Sequence, residues 1–251
     1  MARIRANAPR RVGSDVPLLS STTLVPVGLA LVVGGLVTSL WLGVDRREAD
    51  VAVNAAAALA ATASPLVVEY GIASLVDASV DFGPVLPLCI ALAGLLHMLG
   101  MHGWYDTVWW WDHVTHTVSA ALVAALVYAW VVVAGADVLP GPLGRSVGAA
   151  TIGLTLAAGV AWEVLEHAAR VASDRAGIER VLEHYGRFDT PLDLLFDGVG
   201  AVAVVALDGR IFTPLFEPIP GLSRTLLSWF VVAIGAIAAA SAVIVVAGRE
   251  G

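Results

Sequence analysis

The stretch WWWDHVTHTVSAALVAALVYAWVVVAGA, residues 109–136, decides how the whole chain is to be read. From Val114 onward it is apolar and long enough to cross a bilayer, whose core takes about 20 residues of helix at ~1.5 Å rise each. Yet it opens on Asp112, His113 and His116. Ionisable groups in a membrane helix are costly unless solvated, paired or neutral, and they usually face a protein interior or a watery cavity.

The composition around this stretch supports a membrane setting. Of 251 residues, 58% are hydrophobic and 14% charged, with a mean hydropathy of +0.83. A soluble domain of this length needs more charge to cover its surface. The chain has no lysine; 14 arginines stand against 21 acids, for a net charge of −7. Nucleic-acid binding therefore has no electrostatic support. The single cysteine, Cys89, lies in an apolar run, which excludes a disulfide framework and a cysteine-based metal site.

Seven segments have the length and apolarity of membrane helices: about 23–43, 51–73, 83–101, 112–134, 147–171, 190–208 and 224–247. Gly, Pro and charged residues fall between them, as in DASVDFGP and GADVLPGPLGR. The expected fold is an all-α polytopic transmembrane bundle of about seven helices. It forms a single transmembrane domain over 23–247 behind a polar, arginine-bearing tail at 1–22, multi-pass in the cell membrane. The first apolar run is too long for a signal peptide and lacks a small-residue cleavage site. Seven arginines fall on each side of the alternating topology, so only the four in the tail favour an N-terminus inside.

Three clusters of ionisable residues interrupt these helices. Asp112 and His116 share a face at i, i+4 at the start of the fourth. Glu163, Glu166 and His167, in AWEVLEHAAR, lie near the end of the fifth, and Asp189, Asp193 and Asp197 repeat every four residues at the start of the sixth. In an alternating topology these three helix ends meet at one membrane face. By helical rise His116 is about 6 Å deeper than Asp112, Asp197 about 12 Å deeper than Asp189, and Glu163 about 10 Å inward from Arg170. The end of the third helix, with His97 and His102, reaches the same face.

Plainer readings compete with a shared site. Alone, Asp112 and Asp189 read as helix caps. His113 reads as an interfacial residue, and Glu183 and His184 as solvated loop residues. Trp104, Tyr105, Trp109, Trp110 and Trp111 read as an interfacial aromatic belt. Glu69 and Tyr70 end the second helix on the opposite face, and Ser64-Pro65 reads as a kink. Glu163 and Asp197 resist these explanations, because short side chains a turn or more inside the bilayer cannot easily reach water.

Carboxylates and imidazoles without cysteine form a hard-to-borderline ligand set suited to Zn²⁺, Mn²⁺, Fe²⁺ or Mg²⁺. The candidate metal ligands are Asp112, His116, Glu163, His167, Asp189 and Asp193, and the candidate catalytic groups are Glu163, Glu166 and Asp193. Di-metal bundles also draw such ligands from adjacent helices, although Glu-x-x-Glu-His differs from their Glu-x-x-His. Chains of Asp, Glu and His serve equally as proton pathways. There is no Gly-x-Ser-x-Gly, no His-Glu-x-x-His and no lysine for a lysine–arginine phosphatase motif.

WWWDHVTHTVSA, AWEVLEHAA and DTPLDLLFDGVGAV together resemble the three motifs of the bacterial YjdF-type inner-membrane family, a domain family of unknown function. Asp112, His116, Glu163, Glu166, Asp189, Thr190 and Asp193 fall on the motif positions, and HMLGMHGWY resembles the region before the first. The likeness covers about residues 85–205. Asp197 stands where an uncharged residue is more usual. A fainter similarity to VanZ-like proteins transfers no function. The family resemblance implies a membrane protein with a shared polar site and supplies no reaction.

The expectation is a membrane protein holding a divalent metal at one face, a hydrolase acting on a lipid or envelope component. The runner-up is a proton- or cation-coupled transporter, and the third reading is a scaffold whose polar residues hold helices together. The lipid bilayer is the expected partner; substrate and oligomeric state have no signature in the sequence.

Overall fold

A computed structural model describes residues 21–75, 81–177 and 188–247; the tail up to residue 20 and the loop with Glu183 and His184 lie outside the described residues. The seven expected helices are α1 Ser21–Arg46, α2 Ala49–Leu75, α3 Val85–Leu99, α4 Trp111–Ala134, α5 Val147–Ala176, α6 Asp189–Ala206 and α7 Pro220–Ala247. No strand occurs among the described residues. Helices α1, α2, α4 and α5, and α3 when continued past its kink to Thr107, are long and apolar enough to cross a membrane. Of the other two, α6 carries three aspartates, and α7 has an apolar stretch over Pro220–Ile234 among the residues whose side chains are described.

Local chemistry explains several breaks and caps. Pro65 inside α2 has no N–H to donate to the Ala61 carbonyl, and the Ser64 hydroxyl donates to that carbonyl instead, at 2.8 Å. Past α3 the backbone leaves helical geometry at His102 and at Gly103, whose φ of 106° suits only glycine. A single helical turn at Tyr105–Thr107 then leads to α4. Ser146 caps α5, its hydroxyl accepting from the Ala149 N–H at 3.1 Å.

Two groups of helices pack side by side. Leu36, Val51, Ala55, Ala91 and Met98 make the core of α1, α2 and α3, while Val127, Val131, Leu154 and Leu227 join α4, α5 and α7. The most extensive helix contact is between α4 and α6. It depends on Gly200, where a Cβ would lie 2.5 Å from the Thr117 carbonyl oxygen and 2.8 Å from the Ala121 nitrogen. That approach brings the acidic stripe of α6 against α4. The outer surface stays apolar, with Leu31 72%, Val67 69% and Trp229 67% exposed, as suits contact with lipid.

The end of the bundle away from the acidic clusters is held by its own polar contacts. Arg224 donates to the Ala134 carbonyl at 3.0 Å and pairs with Asp137, and its hydrogen bond holds the Asp137 carboxyl below the usual range. The Tyr128 hydroxyl donates to Asp208, which also accepts from Arg210.

Candidate functional site

The start of α4 places Asp112 and His116 one turn apart on the side facing α6. The caps of α4 and α6 are Trp110 and Phe188, and neither aspartate is the N-cap residue that the simplest reading would make it. Asp112 lies in the first turn of α4, where the exposed N–H groups favour negative charge. Asp193 and Asp197, successive turns of α6, are both buried.

Three carboxylates converge on the His116 ring. Its Nδ1 is 3.3 Å from Asp197 Oδ1. Its Nε2 is 3.9 Å from Asp112 Oδ1 and 3.6 Å from Asp193 Oδ1. One donor atom each from Asp112, His116 and Asp193 lies within 4.8 Å of the other two. Donors held at about 2.1 Å by one ion lie at most about 4.2 Å apart, so the group must tighten to close on an ion. Asp193 is only 4% exposed, and its Oδ1 has no hydrogen-bond partner among the described residues. A buried carboxylate oxygen left so is costly unless something else satisfies it.

Asp197 owes its position to Gly159 on α5, where a Cβ would collide with Asp197 Oδ2. The site thus draws on α5 even where α5 supplies no ligand. Glu163 of that helix is buried and accepts from the Thr190 hydroxyl at 2.5 Å, which ties α5 to the first turn of α6. Glu163, Asp189 and Asp112 all lie within electrostatic range of Asp193. Glu166 pairs with Arg170 at 3.2 Å, one turn nearer the membrane face.

The sequence candidates therefore divide. Asp112, His116 and Asp193 come together as one group that could hold a metal. Glu163, Glu166 and Asp189 form an acidic rim, and His167 is exposed on α5, outside that group. Asp197, left aside because its position departs from the family pattern, carries the shortest contact to His116. Its signal was available in the sequence: the i, i+4 repeat from Asp189 through Asp193 places all three aspartates on one stripe.

The aromatic residues divide as well. Trp104, Trp109 and Trp110 are exposed at the rim. Trp111 is instead buried, its Nε1 donating to the Leu96 carbonyl at 3.1 Å and its ring edge-on to Trp104. Tyr105 turns inward too. Its hydroxyl lies 2.7 Å from His97 Nδ1 and 3.5 Å from Thr115 Oγ1, while His97 Nε2 lies 3.3 Å from Asn54 Oδ1. Thr115 Oγ1 donates to the Asp112 carbonyl at 2.7 Å, so a polar chain runs from α2 through α3 to the site helix. His102 bonds Ser39 of α1 at 3.1 Å.

The class these features define is a helical membrane protein with an acid–histidine cluster at one end of its bundle. The chain matches, over residues 27–214, the family described as "Predicted membrane protein (DUF2238)". That is well over half of its 251 residues, and the chain belongs to this family, the one to which the YjdF-type resemblance pointed. The VanZ-like similarity is not shown by these comparisons. No curated protein and no solved structure gives a match to the chain.

Proposed function

We propose that the protein is a multi-pass protein of the cell membrane that holds one divalent cation between α4 and α6 and uses it in hydrolysis of a lipid or envelope component. The observation that carries this reading is the division of labour on the His116 ring. Asp197 sits on the Nδ1 side, where a carboxylate accepting from Nδ1–H leaves the Nε2 lone pair free. Nε2 faces Asp112 and Asp193, both of which offer oxygens. Asp193 Oδ1, buried without a hydrogen bond among the described residues and 3.6 Å from His116 Nε2, supports the same reading, since a cation would satisfy it.

Zn²⁺, Mn²⁺, Fe²⁺ and Mg²⁺ all suit one imidazole and two carboxylates, and such an ion supplies Lewis acidity and an acidified water. Glu163, buried beside Asp193 and oriented by Thr190, is the candidate general base. Glu166 and Asp189 extend the acidic rim toward the membrane face, and His167 is kept as an outlying ligand candidate.

Metal analysis of detergent-purified protein tests the proposal. The expected result is about one divalent ion per chain in wild type and a clear loss in His116→Ala. Chelation should lower the melting temperature of wild type and hardly move that of an Asp112→Asn/His116→Ala double variant. A wild-type protein that carries no metal, and whose melting temperature none of the four ions alters, would end the metal reading.

Proton- or cation-coupled transport is the second reading, favoured by the polar chain Asn54–His97–Tyr105–Thr115 that leads across α2 and α3 to Asp112. A scaffold role fits less well, because helix glue would give a buried carboxylate oxygen such as Asp193 Oδ1 a hydrogen bond.

A further inference from the structure

Beside the cluster, on the same pair of helices, runs a groove of about 460 Å³ with almost wholly apolar walls. Trp110, His113, Thr117 and Val118 of α4 and its lead-in line one side and Phe196 of α6 the other, with Trp109 at the mouth. The α4 residues recur at i, i+3, i+7 and i+8, a single stripe about 12 Å long at ~1.5 Å per residue. Asp112 and His116 each precede a groove residue by one position, as do Asp193 and Asp197 flank Phe196 on α6. Groove and cluster are therefore neighbouring faces of one helix seam, at one depth. The His113 ring belongs to the groove wall. It stacks on Phe196 with centroids 4.3 Å apart, and its buried Nδ1 has no hydrogen-bond partner among the described residues.

We propose, building on the metal reading above, that this groove seats one acyl chain of a membrane lipid whose zwitterionic, amine-bearing head lies over the acidic cluster. Three observations carry it. The groove opens on the outer surface of the bundle, with Trp109 82% exposed at its mouth, so the bilayer itself supplies the occupant. The stripe runs from the membrane face inward, the direction of an acyl chain. The head would meet Asp112, Glu163, Glu166, Asp189, Asp193 and Asp197, with Arg170 the cation paired into this group and Arg175 beyond it at the exposed end of α5 among the described residues, and a bound divalent ion leaves the field of these acids negative. An anionic head is repelled there, whereas an ammonium is attracted. A lipid so seated brings its head and backbone ester bonds level with Asp112 and His116, which makes an amine-headed lipid the substrate class of the site.

The test uses the full chain in nanodiscs containing phosphatidylethanolamine with a photoactivatable diazirine in one acyl chain, and phosphatidylglycerol bearing the same label in parallel. Cross-linked positions are mapped by mass spectrometry, and Zn²⁺ binding is titrated on the same preparations. The expected result is labelling concentrated on residues 109–118 and 196, severalfold stronger from the ethanolamine lipid. In Thr117→Trp that labelling should fall severalfold while Zn²⁺ binding stays at the wild-type level. Val118→Trp, on the more exposed edge of the groove, is the second variant should the first not fold. Labelling spread evenly over the bundle, a preference for phosphatidylglycerol, or undiminished groove labelling in both variants would overturn the lipid seat and leave the metal reading intact. Strong groove labelling by a wild-type protein that binds no Zn²⁺ would uphold the seat and remove the hydrolase reading on which its substrate role rests.

Discussion

Asp197→Asn separates a metal site from a structural ion cluster more sharply than removal of any ligand. Asn fills the volume of Asp and can still accept from His116 Nδ1–H across the 3.3 Å contact, so the packing against Gly159 survives. What changes is charge: the carboxylate that raises the basicity of the imidazole is gone. Losing an outer partner of this kind typically weakens metal binding 10–100-fold, or about 1.4–2.7 kcal/mol. The expected outcome is a Zn²⁺ dissociation constant raised by that factor, read by competition with a chelating indicator in detergent, with the metal-free protein melting close to wild type. The removed carboxylate is not a ligand, so Asp193→Asn should do more damage than Asp197→Asn. Equal Zn²⁺ affinity in wild type, Asp197→Asn and Asp193→Asn would refute the assignment of roles around His116.

Gly159→Ala should reproduce the Asp197→Asn defect without touching a polar atom, because its methyl displaces Asp197; unchanged Zn²⁺ affinity in this variant would show that the carboxylate position is immaterial. Gly200→Ala should destabilise the fold by about 1–3 kcal/mol, seen as a lower melting temperature, since its Cβ meets backbone of α4 that cannot yield. Metal binding should weaken as pH falls, because protons compete with the ion for the imidazole nitrogen that acts as ligand; a flat titration from pH 8 to 5 would count against His116. Glu163→Gln should abolish activity while leaving insertion and Zn²⁺ binding intact, and an active variant would remove Glu163 from the chemistry. In a Cys89→Ser background, cysteines at Gly103 and Phe188 should label from one side of the membrane and one at Pro142 from the other; labelling of Gly103 and Phe188 from opposite sides would break the shared face.

Much of this molecule is legible in one dimension because bilayers and helices impose strong local rules. A run such as 114–134 has no alternative to helix in lipid, where every backbone N–H and C=O must be satisfied within the segment. Periodicity of 3.6 residues likewise puts Asp112 with His116, and Asp193 with Asp189, on common faces. Alternation of topology then placed the ends of α4, α5 and α6 together. What periodicity cannot give is rotation of one helix against another, and that decided the site. Gly200 lets α6 approach α4 at one angle, which turns Asp197 onto His116, whereas His167 points away on the exposed side of α5. Trp111 and Tyr105 read as rim aromatics by position, yet their polar atoms found a carbonyl and an imidazole inside the bundle. Helix α6 can likewise carry three aspartates because its acidic stripe has α4 and α5 to face.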